Sequence, residues 1–309
     1  MRIFDTDALE CLAAIVEEGG FERAAVRLSI TQSAVSQRLR ALEAQVGTVL
    51  LVRSRPVKAT AAGRLLIKHA MQMRLLRADL EGDLKELAPN TGAVREDERI
   101  SIAVNADSIA TWALSALDPL VHAGLPLEII TDDQDFTHEW LREGQVLGCV
   151  TTLKQALRGC KVLPLGAMHY VAVVSQDYAK AHCPKGLTPH NFRSIPFVAF
   201  NRKDDLPSEF VGRALSLRRV SVGQRFVPSS EGMVRAVLAG WGASVVPELL
   251  VRGLIDEGRL VDLMPGVTLP VNLYWHCWNL DSEVIDRLTS ALSAAASRTL
   301  APKNQPVTK

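Results

Sequence analysis

Between Phe21 and Val46 the chain has few ways to fold. Val35, Leu39, Leu42 and Val46 recur at steps of four, three and four residues, which makes one apolar helical face. Ser33, Ser36, Gln37 and Arg40 fall on the opposite face. The preceding FERAAVRL, residues 21–28, reads as a second short helix, joined to the first by a tight turn. Two such helices form a helix-turn-helix, in which the second helix enters a DNA groove. Its hydroxyl, amide and guanidinium groups are the types that hydrogen-bond base edges and phosphates. The same side chains also fit a plainly solvated surface, because helical hairpins without a DNA role are common.

Charge separates the two readings. From Arg23 to Arg77 there are eleven Arg and Lys residues and one acid, Glu43, a balance of +10. The whole chain is +1, which leaves −9 outside that segment. A basic N-terminal quarter on an acidic bulk points to a phosphate-binding module joined to something else.

The same segment resembles the LysR-type transcriptional regulators. Phe21, Ala24, Ala25, Leu28, Thr31 to Ser36, Leu39, Leu42 and Glu43 match that family's N-terminal signature, and LVRSRPVKATAAG (residues 51–63) resembles its wing. Thr60, Ala62 and Gly63 match the family's Thr-x-Ala-Gly, while Leu51 and Ala59 replace a commoner Phe and Leu. The resemblance implies that Thr31, Gln32, Ser33, Ser36, Gln37 and Arg40 face DNA from the reading helix. It likewise makes Arg53, Arg55 and Lys58 wing contacts to the DNA backbone or minor groove.

At 309 residues and 48% hydrophobic content, two or three globular units are expected. No apolar run nears the roughly 18 residues of a membrane span, and MRIFDTDALE lacks the apolar core of a signal peptide. Five scattered cysteines form no C-x-x-C, giving neither a metal site nor a disulfide framework, in keeping with a reducing cytoplasm. The tail APKNQPVTK is expected to fray. Asp5 to Glu18 reads as a first helix. Ala61 to Leu87 reads as a long one, with Leu66, Ala70, Met73, Leu76, Leu80, Leu84 and Leu87 as an apolar seam. At about 1.5 Å per residue it spans roughly 40 Å. Such a seam wants a partner helix, which predicts a homodimer; packing against its own domain is the other reading. Pro89 is expected to stop it.

From Ile100 onward β-rich runs (100–104, 127–131, 146–150, 170–175, 197–200, 225–227, 243–247, 271–275) alternate with helix-length stretches, the pattern of α/β sheets. Here the resemblance implies a two-lobed effector domain like a periplasmic binding protein. The expected fold class is thus α+β multidomain. A winged helix-turn-helix (1–60) leads through a linker helix (61–88) to an effector domain (98–300). Lobe I takes 98–170 and 276–300, lobe II takes 171–270, and strands cross at Tyr170–Val173 and Val271–Tyr274.

The cleft between lobes is where a ligand belongs. Asn105, Asp107 and Ser108 follow the first strand and open a helix, a terminus that attracts anions; Asp107 or Ser108 as a mere cap is the other reading. Ser229, Ser230 and Glu231 form a second such terminus. Asp133 and Asp205 lie near strand ends, where a carboxylate can bind a cation or simply be solvated. AVNADSIATW (103–112), VAF (198–200), SSE (229–231) and LYWH (273–276) resemble the lysine- and arginine-responsive ArgP/LysG branch of the family. That resemblance implies L-lysine or L-arginine as effector and control of a basic-amino-acid exporter or related genes. It also implies double-stranded DNA as partner, a dimer of dimers and RNA polymerase as a further candidate partner. A different small-molecule effector, or inhibition of replication initiation at origin DNA, are the alternatives. No cofactor, metal or membrane partner is expected, and the location is cytoplasmic, at the nucleoid. The seven histidines show no metal-ligand spacing, and no Gly-x-Ser-x-Gly elbow or phosphate loop occurs, so no enzyme is expected.

Overall fold

The computed structural model describes residues 4–52, 54–87, 99–132 and 137–302. Arg53, Pro89 and Asp133 lie outside them. Asp5 caps α1 (Thr6–Glu17), its carboxylate accepting the Asp7 N–H at 3.0 Å. α2 (Phe21–Arg27) and α3 (Gln32–Val46) follow, with Ser29 in left-handed backbone at the turn between them. The Thr31 hydroxyl caps α3 by accepting the Ala34 N–H at 3.1 Å. Leu9, Leu12, Ile15, Ala24, Val35, Leu39 and Leu42 close one small core. Each large aliphatic buried there stabilises the head by about 1.5–3 kcal/mol.

The wing is a two-stranded ribbon, β1 (Leu51–Val52) against β2 (Lys58–Ala59). It runs into α4 (Ala61–Leu87) through Thr60. The Thr60 hydroxyl accepts the Gly63 N–H at 3.1 Å and donates to the Val49 carbonyl at 2.9 Å. Gly63 lies so close to the Leu50 carbonyl that a Cβ would sit 2.1 Å from its oxygen. Thr-x-Ala-Gly is therefore a helix cap joined to a close backbone approach. Gly63→Ala is expected to destabilise the protein by about 1–3 kcal/mol through overpacking. A fall in Tm on thermal melting checks this, and an unchanged Tm would contradict the packing.

The larger part comprises β3 (Ile100–Asn105), α5 (Ala106–Ser108), a π-helical turn (Ile109–Ala113), α6 (Leu114–His122), β4 (Leu127–Asp132), α7 (Thr137–Arg142) and β5 (Gly148–Thr151). Then come β6 (Cys160–Ser175), α8 (Gln176–His182), β7 (Phe197–Ala199), α9 (Leu206–Ala214), β8 (Gln224–Phe226) and α10 (Ser230–Leu238). β9 (Ala243–Pro247), α11 (Glu248–Asp256), β10 (Leu260–Asp262), β11 (Leu269–Trp278) and α12 (Glu283–Thr299) complete it. The sheet order is β4-β3-β5-β11-β6-β9-β7-β8, with β10 also on β6. β3 pairs in parallel with β4 and β5 in lobe I, and β7 in parallel with β8 and β9 in lobe II. The antiparallel pair β6 and β11 runs through both lobes and joins them.

Several expectations need correction. β6 begins at Cys160, ten residues before the run at 170–175, because Pro164 and Gly166 interrupt the pattern without ending the strand. The pairing absorbs them by a register shift at Leu273/Tyr274. His276 lies in β11, fully buried, with Nε2 against the Leu153 carbonyl at 2.7 Å. The last helix starts at Glu283 instead, capped by Ser282. Ala301 is not frayed: its N–H and carbonyl both bond Ala167. The seam of α4 is divided. Ile67 and Ala70 enter the head core and Leu75 the core of the larger part, which runs through both lobes, while Leu76, Leu80 and Leu84 stay exposed.

Candidate effector cleft and DNA-reading surface

The helix that follows β3 opens into the cleft. Asn105, Ala106 and Asp107 line it from lobe I; Phe200, Asp204, Leu206, Met233 and Val245 line it from lobe II. The free room inside it is about 20 Å³, close to that of a single water, so the cleft is closed and admits an amino acid only when the lobes part.

Asp107 spans the gap between lobes. Its Oδ1 accepts the Ser230 hydroxyl of α10 at 2.6 Å, and its Oδ2 accepts the Tyr170 hydroxyl of β6 at 2.6 Å. Neither partner carries charge. Burial pushes the Asp107 carboxyl above the ordinary carboxylate range, and the two hydroxyls pull it only part of the way back. A partly desolvated acid with no cation beside it among the described residues is a place where a cation gains most.

Beside it lie polar atoms with no protein partner. Asn105 is 1% exposed and Ser108 0% exposed. Both carboxamide atoms of Asn105 and the Ser108 hydroxyl lack a hydrogen bond among the described residues. An unsatisfied buried polar group costs about 1–3 kcal/mol. Three such atoms at the mouth of one helix offer two kinds of donor and an acceptor to a ligand.

The remaining expected effector residues sit elsewhere. Ser229 caps α10, accepting the Gly232 N–H at 3.1 Å, and is exposed. Glu231 is exposed and pairs with Arg235 at 3.8 Å. Asp205 is exposed at the start of α9 and is not among the residues that line this cleft. Its neighbour Asp204 faces in, with its carboxylate accepting the Phe200 N–H at 2.8 Å and the Leu206 N–H at 3.1 Å. Asp133 falls outside the described residues. Tyr170 was not among the expected residues; an aromatic inside the apolar run YVAVVS carries no sign that its hydroxyl bonds an acid 63 positions away.

In the head, Thr31, Gln32, Ser33, Gln37 and Arg40 are exposed along one side of α3, with Ser36 half-buried at its edge. Arg38 turns the other way and pairs with Asp7 of α1 at 3.0 Å. Arg55 and Lys58 are exposed on the wing. Arg40, Arg55 and Lys58 make no ion pair among the described residues, so their charge is available to a polyanion.

Residues 6–64 match the bacterial regulatory helix-turn-helix proteins of the lysR family, and residues 94–296 match the LysR substrate binding domain. The chain belongs to the LysR family. It is a DNA-binding transcriptional regulator of the ArgP/LysG type. ArgP of Pseudomonas aeruginosa is 40% identical over 301 residues, covering 96% of this chain and 97% of that one. The crystal structure of ArgP from Mycobacterium tuberculosis superposes with a TM-score of 0.83 at 39% identity, covering 98% of this LysR-family chain and all of the other. Full-length LysG of Corynebacterium glutamicum with bound effector Arg gives a TM-score of 0.73 at 33% identity, over 96% of this chain and all of that one. No helix among the described residues is long and apolar enough to cross a membrane.

Proposed function

We propose that this regulator senses a basic amino acid, L-arginine or L-lysine, in the cleft between its lobes and adjusts operator binding accordingly. The observation that carries the reading is Asp107: a buried carboxylate without a cation, flanked by unpartnered Asn105 and Ser108. A zwitterion with a cationic side chain satisfies all three. The Asn105 amide and Ser108 hydroxyl donate to the α-carboxylate, Asp107 accepts from the adjacent α-ammonium, and Asp204 on the facing wall meets the cationic side chain. The tight cleft requires the Asp107–Ser230 bond to open on entry, so ligand and lobe closure compete for one carboxylate. The Arg-bound LysG relative supports this choice of ligand. Ser33, Ser36, Gln37 and Arg40 read bases, with Thr31 and Gln32 at the start of the same surface. Arg55 and Lys58 neutralise phosphates, the role that the family resemblance also gives Arg53. The row Leu76, Leu80 and Leu84 supports pairing of α4 between two copies, which sets two heads on one operator. Target genes for export or metabolism of the same amino acids fit such a sensor, which acts in the cytoplasm.

A thermal-shift series tests the ligand. L-arginine and L-lysine are expected to raise Tm, with a stabilisation of about 2.7 kcal/mol at a hundred times Kd. Citrulline and norleucine, which keep the α-carboxylate but lose the distal charge, are expected to give little. Equal shifts with the neutral pair, or none with the basic pair, would overturn the reading.

A further inference from the structure

We propose that a second ligand site lies between the head and lobe I, and that it takes an aromatic amino acid. A cavity there is walled by α1 and α4 on one side and by β3, β4 and the end of β11 on the other. Its free room is about 400 Å³, against about 20 Å³ in the effector cleft. That falls within the roughly 300–1,000 Å³ of small-molecule sites. This room is preformed, whereas the cleft must part.

The lining sorts by chemistry. Buried Leu75, Leu147 and Trp278, with half-buried Met71 and Ile130, make an apolar floor. The Trp278 indole N–H is buried there and makes no hydrogen bond among the described residues, so it gains from an acceptor that a ligand brings. Most charges on the walls cancel one another. Glu17 pairs with Arg27 and Arg74, Glu18 with Arg27, and Arg74 also with Glu10. Two charges remain. Arg99, just before β3, and Glu128 of β4 are exposed and make no ion pair among the described residues; Glu128 accepts the Ser101 hydroxyl at 2.7 Å. Ser101 and Glu128 are register partners and Arg99 stands two residues before Ser101, so both charges lie on one face of the sheet.

A zwitterion fits that pair. Its carboxylate takes the Arg99 guanidinium and its ammonium the Glu128 carboxylate, each by a charge-assisted bond. The side chain then runs inward to Trp278. A cationic side chain is disfavoured there, because the floor offers a buried charge no partner. An aromatic ring suits the floor: it packs against the indole and the Met71 sulfur. It also offers the indole N–H a π face or, in tyrosine, a phenol oxygen. Norleucine, a slender chain with no acceptor, leaves most of the room unfilled. The effector cleft asks for the opposite chemistry, and the present site does not rest on the reading of that cleft.

Calorimetry on the full-length protein with L-phenylalanine and L-tyrosine tests it. Both are expected to bind once per protomer, and equally well when L-arginine is saturating or when Asp107 is alanine. Norleucine is expected to bind at least about tenfold more weakly. Arg99→Ala and Glu128→Gln, both surface changes, should each weaken L-phenylalanine about tenfold. N-acetyl-L-phenylalanine, which lacks the ammonium, should bind wild type and Glu128→Gln alike, and L-phenylalaninamide should do the same for wild type and Arg99→Ala. Ala78→Trp, which fills the cavity from α4, should abolish binding. The proposal is overturned if neither aromatic binds, if norleucine matches them, or if none of the three variants weakens them. Displacement by arginine, or loss in Asp107→Ala, overturns it too, by placing the aromatics in the cleft. Aromatic binding without any arginine binding would sink the cleft reading and uphold this one.

Discussion

Asp107→Ala is expected to weaken arginine or lysine binding by at least about 100-fold while leaving ligand-free operator binding nearly unchanged. Removing one partner of a buried, hydrogen-bonded charge pair costs about 2–5 kcal/mol, and 2.7 kcal/mol is already a factor of one hundred. Asp107→Asn separates charge from shape. It retains an acceptor for Ser230 or Tyr170 but offers a cation nothing beyond a dipole, so it should lose most of the affinity as well. Its ligand-free stability should move the other way. The Asp107 pKa is raised in the folded chain by burial, against the pull of Ser230 and Tyr170. The folded state therefore binds more protons than the unfolded one, and stability declines as pH rises from the unfolded value near 3.9 through the raised folded value. Wild type should lose stability relative to Asp107→Asn across that window, and the two should converge in acid. Ligand affinity has the opposite slope. A cation favours the ionised carboxylate, so binding releases a proton and weakens as pH falls through the folded value. Calorimetry in buffers of different ionisation enthalpy measures that proton. Wild-type affinity in Asp107→Asn together with no proton release would remove Asp107 from the site.

How far these features were legible in the sequence depends on how local their causes are. The head was readable because its determinants lie within a few residues of one another: the step pattern of Val35, Leu39 and Leu42, the Thr31 cap, and the Thr60–Gly63 junction. That Asn105 and Asp107 line the cleft was legible because a strand that runs into a helix places its first turn at the sheet's C-terminal edge, wherever the rest of the chain goes. Which lobe II residues complete the cleft was not. Glu231 and Ser230 are adjacent, yet helix phase buries one against Asp107 and leaves the other in solvent. Asp204 and Asp205 differ similarly. The Leu206 N–H bonds the Asp204 carboxylate two residues back, which turns Asp204 inward and Asp205 out. That short-range bond is a signal in principle, because an acid just before a Leu-Pro helix start favours such a turn. Tyr170 and the first ten residues of β6 left no local trace. Their role depends on register against β11 and on a strand that tolerates Pro164 and Gly166 only because its partner shifts register.

Alanine at Ser33, Gln37 and Arg40 together is expected to reduce operator affinity to the level of random duplex without unfolding the head. All three are exposed on one side of α3, while the helix is held by Val35, Leu39 and Leu42 beneath and by Arg38 on Asp7. Exposed substitutions of this kind usually change stability by no more than about 0.5 kcal/mol. Each lost base contact costs about 1–3 kcal/mol of discrimination, so three losses span most of the roughly 4–10 kcal/mol that separates specific from non-specific sites. The wing should behave differently. Arg55→Ala and Lys58→Ala remove exposed charge without removing base recognition, so they should weaken operator and random duplex alike. Each should lower the slope of log affinity against log salt by about 0.9. Fluorescence anisotropy on both duplexes over a salt series separates the two behaviours. The assignment of α3 as the reading helix fails if the triple variant keeps its preference for the operator, and the wing assignment fails if Arg55→Ala and Lys58→Ala leave the salt slope as it was.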